Sequence, residues 1–187
     1  MSLTDDRVLE KLLGLLDVGE RELALLRRVD ARLFKGRARL DSEDLAGLDD
    51  DDALAERVEA FVARFGRLQD MLGAKMLPAF LQAMGEPSGL FVENLDRAER
   101  AGIVRSADQW ARIRRLRNRM IHEYVSDPAV LADALNQAHA FIPDLEHFLG
   151  AVRERLRARF PALKGRLAAG QQEGAGANGD GKGKGRQ

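Results

Sequence analysis

The chemistry available to this chain is concentrated in Arg112-Ile113-Arg114-Arg115-Leu116-Arg117-Asn118-Arg119-Met120-Ile121-His122-Glu123-Tyr124. This run sets five arginines in eight positions ahead of a histidine and the only tyrosine. Guanidinium groups grip phosphodiesters in bidentate fashion and offset charge developing on them. Positive neighbours oppose protonation of an imidazole, so His122 is expected to be neutral and able to act as a base near pH 7. Together these groups describe metal-independent phosphate-ester chemistry. RNA suits it, because its 2′-hydroxyl supplies the nucleophile. The same run also reads as an arginine face that is solvated or paired with some of the 30 acids of the chain.

Placed on a helix at about 100° per residue, Arg115, Arg119 and His122 share one stripe, and Arg117 and Tyr124 another. Arg117 and His122 stand about 140° apart on a straight helix, so they converge better across a dimer interface than within one chain. Other catalytic vocabulary is missing: the sequence holds no GxxxxGK[ST], HExxH or GxSxG. His139 and His147 read as surface or edge residues. The spacing of His122, Glu123 and Asp127 matches no familiar metal site, so neither metal nor cofactor is expected. Trp110 reads as part of the core or of a dimer seam.

The elements that must position the run are all helical by pattern. Apolar residues from Val8 to Leu33 recur mostly at three- and four-residue steps, which predicts a helix from about Asp5 to Phe34. The acids of 36–52, ending in Asp49 to Asp52, complement the N-terminus of a second helix carrying Leu54, Val58, Phe61, Phe65, Leu68, Leu72 and Leu77, with a kink expected at Pro78. Ser88 suits the N-cap of a short helix bearing Leu90, Phe91, Val92 and Leu95, which ends near Gly102. Ser106 caps the arginine-bearing helix, expected from Ala107 to about Tyr124. Asp127-Pro128 opens a last long helix, bent at Pro143, that fades around Phe160-Pro161. No segment alternates with period two, so the fold class is all-α, a bundle of four to five helices.

A chain of 187 residues with 45% hydrophobic and 32% charged residues fits one soluble helical domain, expected over 1–165. Seven of the 18 glycines fall within 170–187, and 166–187 is expected to be a disordered Gly-rich tail. Thirty basic groups balance 30 acidic ones, which removes any whole-chain argument for nucleic acid. Without cysteine there is no disulfide framework and no thiolate site. No signal peptide or membrane span is expected, and the default address is cytoplasmic.

The run Arg117-Asn118-Arg119-Met120-Ile121-His122-Glu123-Tyr124 resembles the motif of the HEPN superfamily, an arginine followed by a polar residue and, four to six residues on, a histidine. More narrowly, Arg-x4-His-x-Tyr resembles the HepT-like toxins of HepT/MntA toxin–antitoxin systems. The position also fits, at the end of a penultimate helix in an all-α chain, and the resemblance covers roughly 57–156. It implies a HEPN-like bundle and a homodimeric, metal-independent endoribonuclease whose composite site forms across the dimer interface. Arg117 and His122 would then be catalytic, Asn118 would orient them or the RNA, and Arg114, Arg115 and Arg119 would bind RNA. A cognate minimal nucleotidyltransferase, the MntA-like antitoxin, would silence it by AMPylation of Tyr124, adding bulk and negative charge. Arg115-x6-His122 also satisfies the looser superfamily pattern, although Asn118 and Tyr124 favour Arg117. Two other readings stand beside this one. In the first the chain is a non-catalytic helical partner of a nucleotidyltransferase, with the arginine helix as its nucleotide- or substrate-binding face. In the second it is a plain interaction module whose arginine face pairs with the acidic 41–52 segment of another subunit.

Overall fold

A computed structural model describes residues 3–122 and 127–169, with the side chains of 3–5, 118–122 and 169 outside the description. The fold is all-α, with no strand among the described residues. Helix α1 spans Leu3–Phe34, α2 Asp52–Asp70, α3 Leu77–Ala83, α4 Phe91–Arg100, α5 Ala107–His122, α6 Pro128–Arg159 and α7 Lys164–Ala169. α1 packs along α2 and also meets α3 and α6, while α5 lies against α2, α4 and α6. None of the described helices is long and apolar enough to cross a membrane.

Local capping chemistry sets the starts of α2, α5 and α6. The Asp51 side chain accepts from Leu54 N–H at 2.9 Å and opens α2. Ser106 Oγ accepts from Gln109 N–H at 3.2 Å ahead of α5. Asp127 accepts from Ala129 N–H at 2.8 Å, and Pro128 occupies the first turn of α6, where a missing N–H costs nothing. Gly102, just past α4, takes φ +71°, a backbone conformation that glycine adopts without strain.

Four expectations need correction. The described residues hold seven α-helices rather than four to five, because the second expected helix divides and a short helix follows α6. The Ser88 side chain is not the cap of α4; that position belongs to Leu90, whose side chain has no acceptor. Glu93 reaches back to Leu90 N–H at 3.2 Å instead, and Asn94 exchanges two hydrogen bonds with the backbone of Gly89. Leu90 and Val92 consequently remain 75% and 60% exposed, and Leu95 is the buried anchor of that helix. The apolar run from Leu54 to Leu77 is not one helix kinked at Pro78 but α2, a π-helical segment Met71–Met76, and α3 with Pro78 in its first turn. A proline ring clashes with the carbonyl four residues back and leaves it without a donor, and the widened turn just before Pro78 accommodates both effects. Residues 166–169, assigned to the tail by composition, belong to α7: Leu167 is buried and its carbonyl accepts from Arg153, which also donates to Glu20 at 2.8 Å. The rest of the expected tail, 170–187, lies outside the described residues.

The core is a spine of aromatic rings. Phe34 meets Phe61 at 5.8 Å, Phe65 meets Phe141 edge-on at 6.5 Å, and Trp110 packs against Phe141 at 5.3 Å and Phe148 at 5.2 Å. Trp110 is 1% exposed, so it is a core residue that ties α5 to α6. His139 stacks on Phe34 at 4.0 Å and lies 2.6 Å from Asp30; His147 Nε2 lies 3.1 Å from the Gly102 carbonyl. α6 runs through Pro143 as one helix.

Candidate functional site

Three residues on the α2 side and two on α5 build the described part of the arginine face. Gly66, Asp70 and Gly73 follow one another at steps of four and three residues and so fall on one face of the chain there. Arg114 and Arg117, three apart on α5, meet that face. The stem of Arg117 lies over Gly66, where a Cβ would sit 3.4 Å from Arg117 Cγ and 3.6 Å from its Nε. Its Nη1 then reaches Asp70 Oδ1 at 3.3 Å. Its Nε is buried and has no hydrogen-bond partner among the described residues. Gly73 serves the same purpose one step removed: a Cβ there would come within 3.1 Å of the Phe91 ring, and the Arg114 guanidinium sits 4.1 Å over that ring as a cation–π pair.

The arginine run therefore divides by face. Arg114 and Arg117 are half-buried and held against α4 and α2, whereas Arg112 and Arg115 are exposed. Of the two arginines that satisfy the motif spacing, Arg117 is the one seated in the fold and Arg115 is exposed. Asn118, Arg119 and His122 belong to α5, but their side chains lie outside the described residues, as does Tyr124 altogether. The geometry thus bears on Arg114, Arg115 and Arg117 alone among the residues singled out by the motif.

Asp70 is the residue that sequence reasoning did not reach. It stands 47 positions from Arg117, at the C-terminal end of α2, and only the α2–α5 contact brings the two together. The one available signal was the pair of glycines Gly66 and Gly73, seven residues apart in a stretch patterned as helix. The described residues contain no group of three or more metal-ligating side chains.

Among the acids of 41–52, Asp41, Asp44 and Asp51 accept hydrogen bonds from groups nearby in the chain. Asp44 pairs with Arg37 and accepts from Asp41 N–H at 3.0 Å. The Asp41 amide, and next the Arg37 guanidinium, hold the Asp44 carboxyl below the usual carboxylate range.

Comparison of the chain with protein-family models, curated proteins and solved structures finds no match.

Proposed function

We propose that this chain is the toxin component of a toxin–antitoxin system, a HEPN-like, metal-independent endoribonuclease that acts as a homodimer. The observation that carries this reading is the Arg117-Asn118-x3-His122-x-Tyr124 motif at the end of α5, immediately before the Asp127-Pro128 start of α6. The seating of Arg117 over Gly66 supports it, because a guanidinium held by its stem gives up less side-chain freedom on gripping a phosphate than one free in solvent.

In the proposed reaction, His122 takes the proton of an RNA 2′-hydroxyl, whose oxygen attacks the adjacent phosphorus. The new O2′–P bond forms as the P–O5′ bond breaks, and the proton that His122 accepted passes to the leaving 5′ oxygen, which returns the imidazole to its neutral form. The products are a 2′,3′-cyclic phosphate and a 5′-hydroxyl end. Arg117 balances charge on the phosphorane-like transition state, Asn118 orients the pair or the RNA, and Arg114, Arg115 and Arg119 contact the backbone. AMPylation of Tyr124 by an MntA-like nucleotidyltransferase would set a phosphate against these arginines and exclude RNA.

The test is cleavage of labelled total RNA in EDTA by the wild type and His122→Ala, alongside intact mass after co-expression with a candidate nucleotidyltransferase. The proposal expects EDTA-resistant cleavage that is lost in the variant while helicity and dimerisation persist, and a mass gain of one or more AMP units that maps to Tyr124. Equal cleavage by the variant would overturn the mechanism. RNA binding without any cleavage would favour the non-catalytic partner of a nucleotidyltransferase.

A further inference from the structure

A second concentration of arginines lies off α5 altogether. A cleft of about 560 Å³ opens where the end of α3 meets the C-terminal parts of α4 and α6. Volumes between about 300 and 1,000 Å³ are typical of small-molecule sites. Arg97 and Arg100 enter it from α4, and Arg155 and Arg159 from α6. Glu86 is the single acid in its wall. Its floor is apolar, made by buried Phe80 and Leu81 with half-buried Met84.

Arginines at helix ends often serve only to offset the dipole, and this alternative can be weighed. Each helix C-terminus carries roughly half a negative charge, so the ends of α4 and α6 account for about one positive charge between them. Arg155 already meets that need at α4, donating to the Ala101 carbonyl at 2.7 Å. Arg97 has a loose contact with Glu93, 3.9 Å away, and Arg159 rests near the Phe160 ring at 5.6 Å. Four guanidiniums against Glu86 in the wall and Glu93 beside Arg97 leave a formal excess of two positive charges around the cleft. A single carboxylate ligand would balance only half of that excess.

From this arrangement we infer that the cleft binds a small organic polyphosphate, its phosphates held by the four arginines and its body laid on Phe80, Leu81 and Met84. Guanidinium forks match phosphate oxygens in bidentate fashion, and the floor rewards an apolar or planar body. Apart from Glu86 and the arginines, the wall offers no polar side chain to read a particular base. The shared chemistry is therefore a polyphosphate on an apolar or aromatic group, met equally by a nucleoside triphosphate and by a prenyl diphosphate. The cleft is built without α5, so this site stands or falls separately from the ribonuclease reading.

The test is calorimetric titration of the full chain with ATP, geranyl diphosphate and inorganic triphosphate. Measurements are repeated on Arg100→Gln, Ala158→Glu and Arg28→Gln, with melting temperature and far-UV circular dichroism as folding checks. Arg100 and Ala158 are exposed, so their variants are expected to fold. At least one organic polyphosphate should bind more tightly than inorganic triphosphate. Arg100→Gln should weaken it about tenfold or more. Ala158→Glu, which sets a carboxylate in the wall, should abolish it, and Arg28→Gln, an exposed change on α1 away from the cleft, should leave it unchanged. Preference for ATP would identify a nucleoside body and preference for geranyl diphosphate a hydrocarbon one, each supporting the site. Absence of binding, equal binding of inorganic triphosphate, or binding that survives Ala158→Glu would overturn the inference.

Discussion

The contact between Arg117 and Asp70 decides how available that arginine is, and a double-mutant cycle measures it. The pair is held by a single N–H···O contact of 3.3 Å, with Arg117 23% and Asp70 39% exposed. At an effective dielectric of about 20, Coulomb attraction at that separation is roughly 5 kcal/mol before the cost of removing water from both ions. Exposure on this scale lets water and salt screen most of that, and such pairs measure about 0.2–1 kcal/mol. The coupling between Arg117→Ala and Asp70→Ala in urea unfolding should therefore come to about 0.5–1 kcal/mol. Arg117→Ala alone should cost more than Asp70→Ala, because it also strips the alkyl stem from Gly66. A bond this weak lets the guanidinium trade Asp70 for a phosphate. On the proposed ribonuclease reading, removing Asp70 should then raise RNA affinity by about twofold to fivefold, which is about 0.5–1 kcal/mol expressed as a binding ratio. Filter binding at fixed salt reads this directly. A coupling above about 2.5 kcal/mol, or weaker RNA binding in Asp70→Ala, would mean instead that Asp70 locks Arg117 in place or helps to position it.

Three other outcomes follow from the packing. Asn136 is buried, accepts from Leu40 N–H at 2.8 Å and donates to Leu40 C=O at 2.8 Å, so Asn136→Ala strands two backbone groups of a buried residue. The expected loss is about 2–4 kcal/mol, or roughly 5–15 °C in melting temperature, and a shift below about 2 °C would contradict it. Gly66→Ala should stabilise by up to about 1 kcal/mol through helix propensity, as its methyl would only touch Arg117 Cγ, whereas Gly66→Leu should displace Arg117 and lower stability in the same urea assay. The Asp44 carboxyl titrates below its ordinary range when folded, so its contribution is complete above the unfolded value of about 3.9 and fades as pH falls through the lower folded value. Asp44→Asn should lower the melting temperature at pH 6, with the gap closing below about pH 4; a gap that persists in acid would exclude this linkage.

What sequence by itself determined here is whatever depends on neighbours a few residues away. Asp51, Ser106 and Asp127-Pro128 announce helix starts because a cap needs only its own side chain and amides two or three positions on. The three- and four-residue recurrence of Leu and Phe in α1 and α2 likewise reports burial, since one helix face must leave water. The arginine run and its spacing to His122 were legible for the same reason. Tertiary structure alone decided the rest. Ser88 looked like a cap, but Glu93 and Asn94 reached back and took the role from inside the next helix. The π-helical segment before Pro78 also packs against α1, a contact that periodicity does not encode. Asp70 faces Arg117, and α6 answers Leu40 with Asn136, across 47 and 96 residues of chain. The arginine cleft joins α4 to α6 in the same way. Such meetings are set by helix packing, and each arginine, aspartate or asparagine in them carries no local mark of the partner it will find.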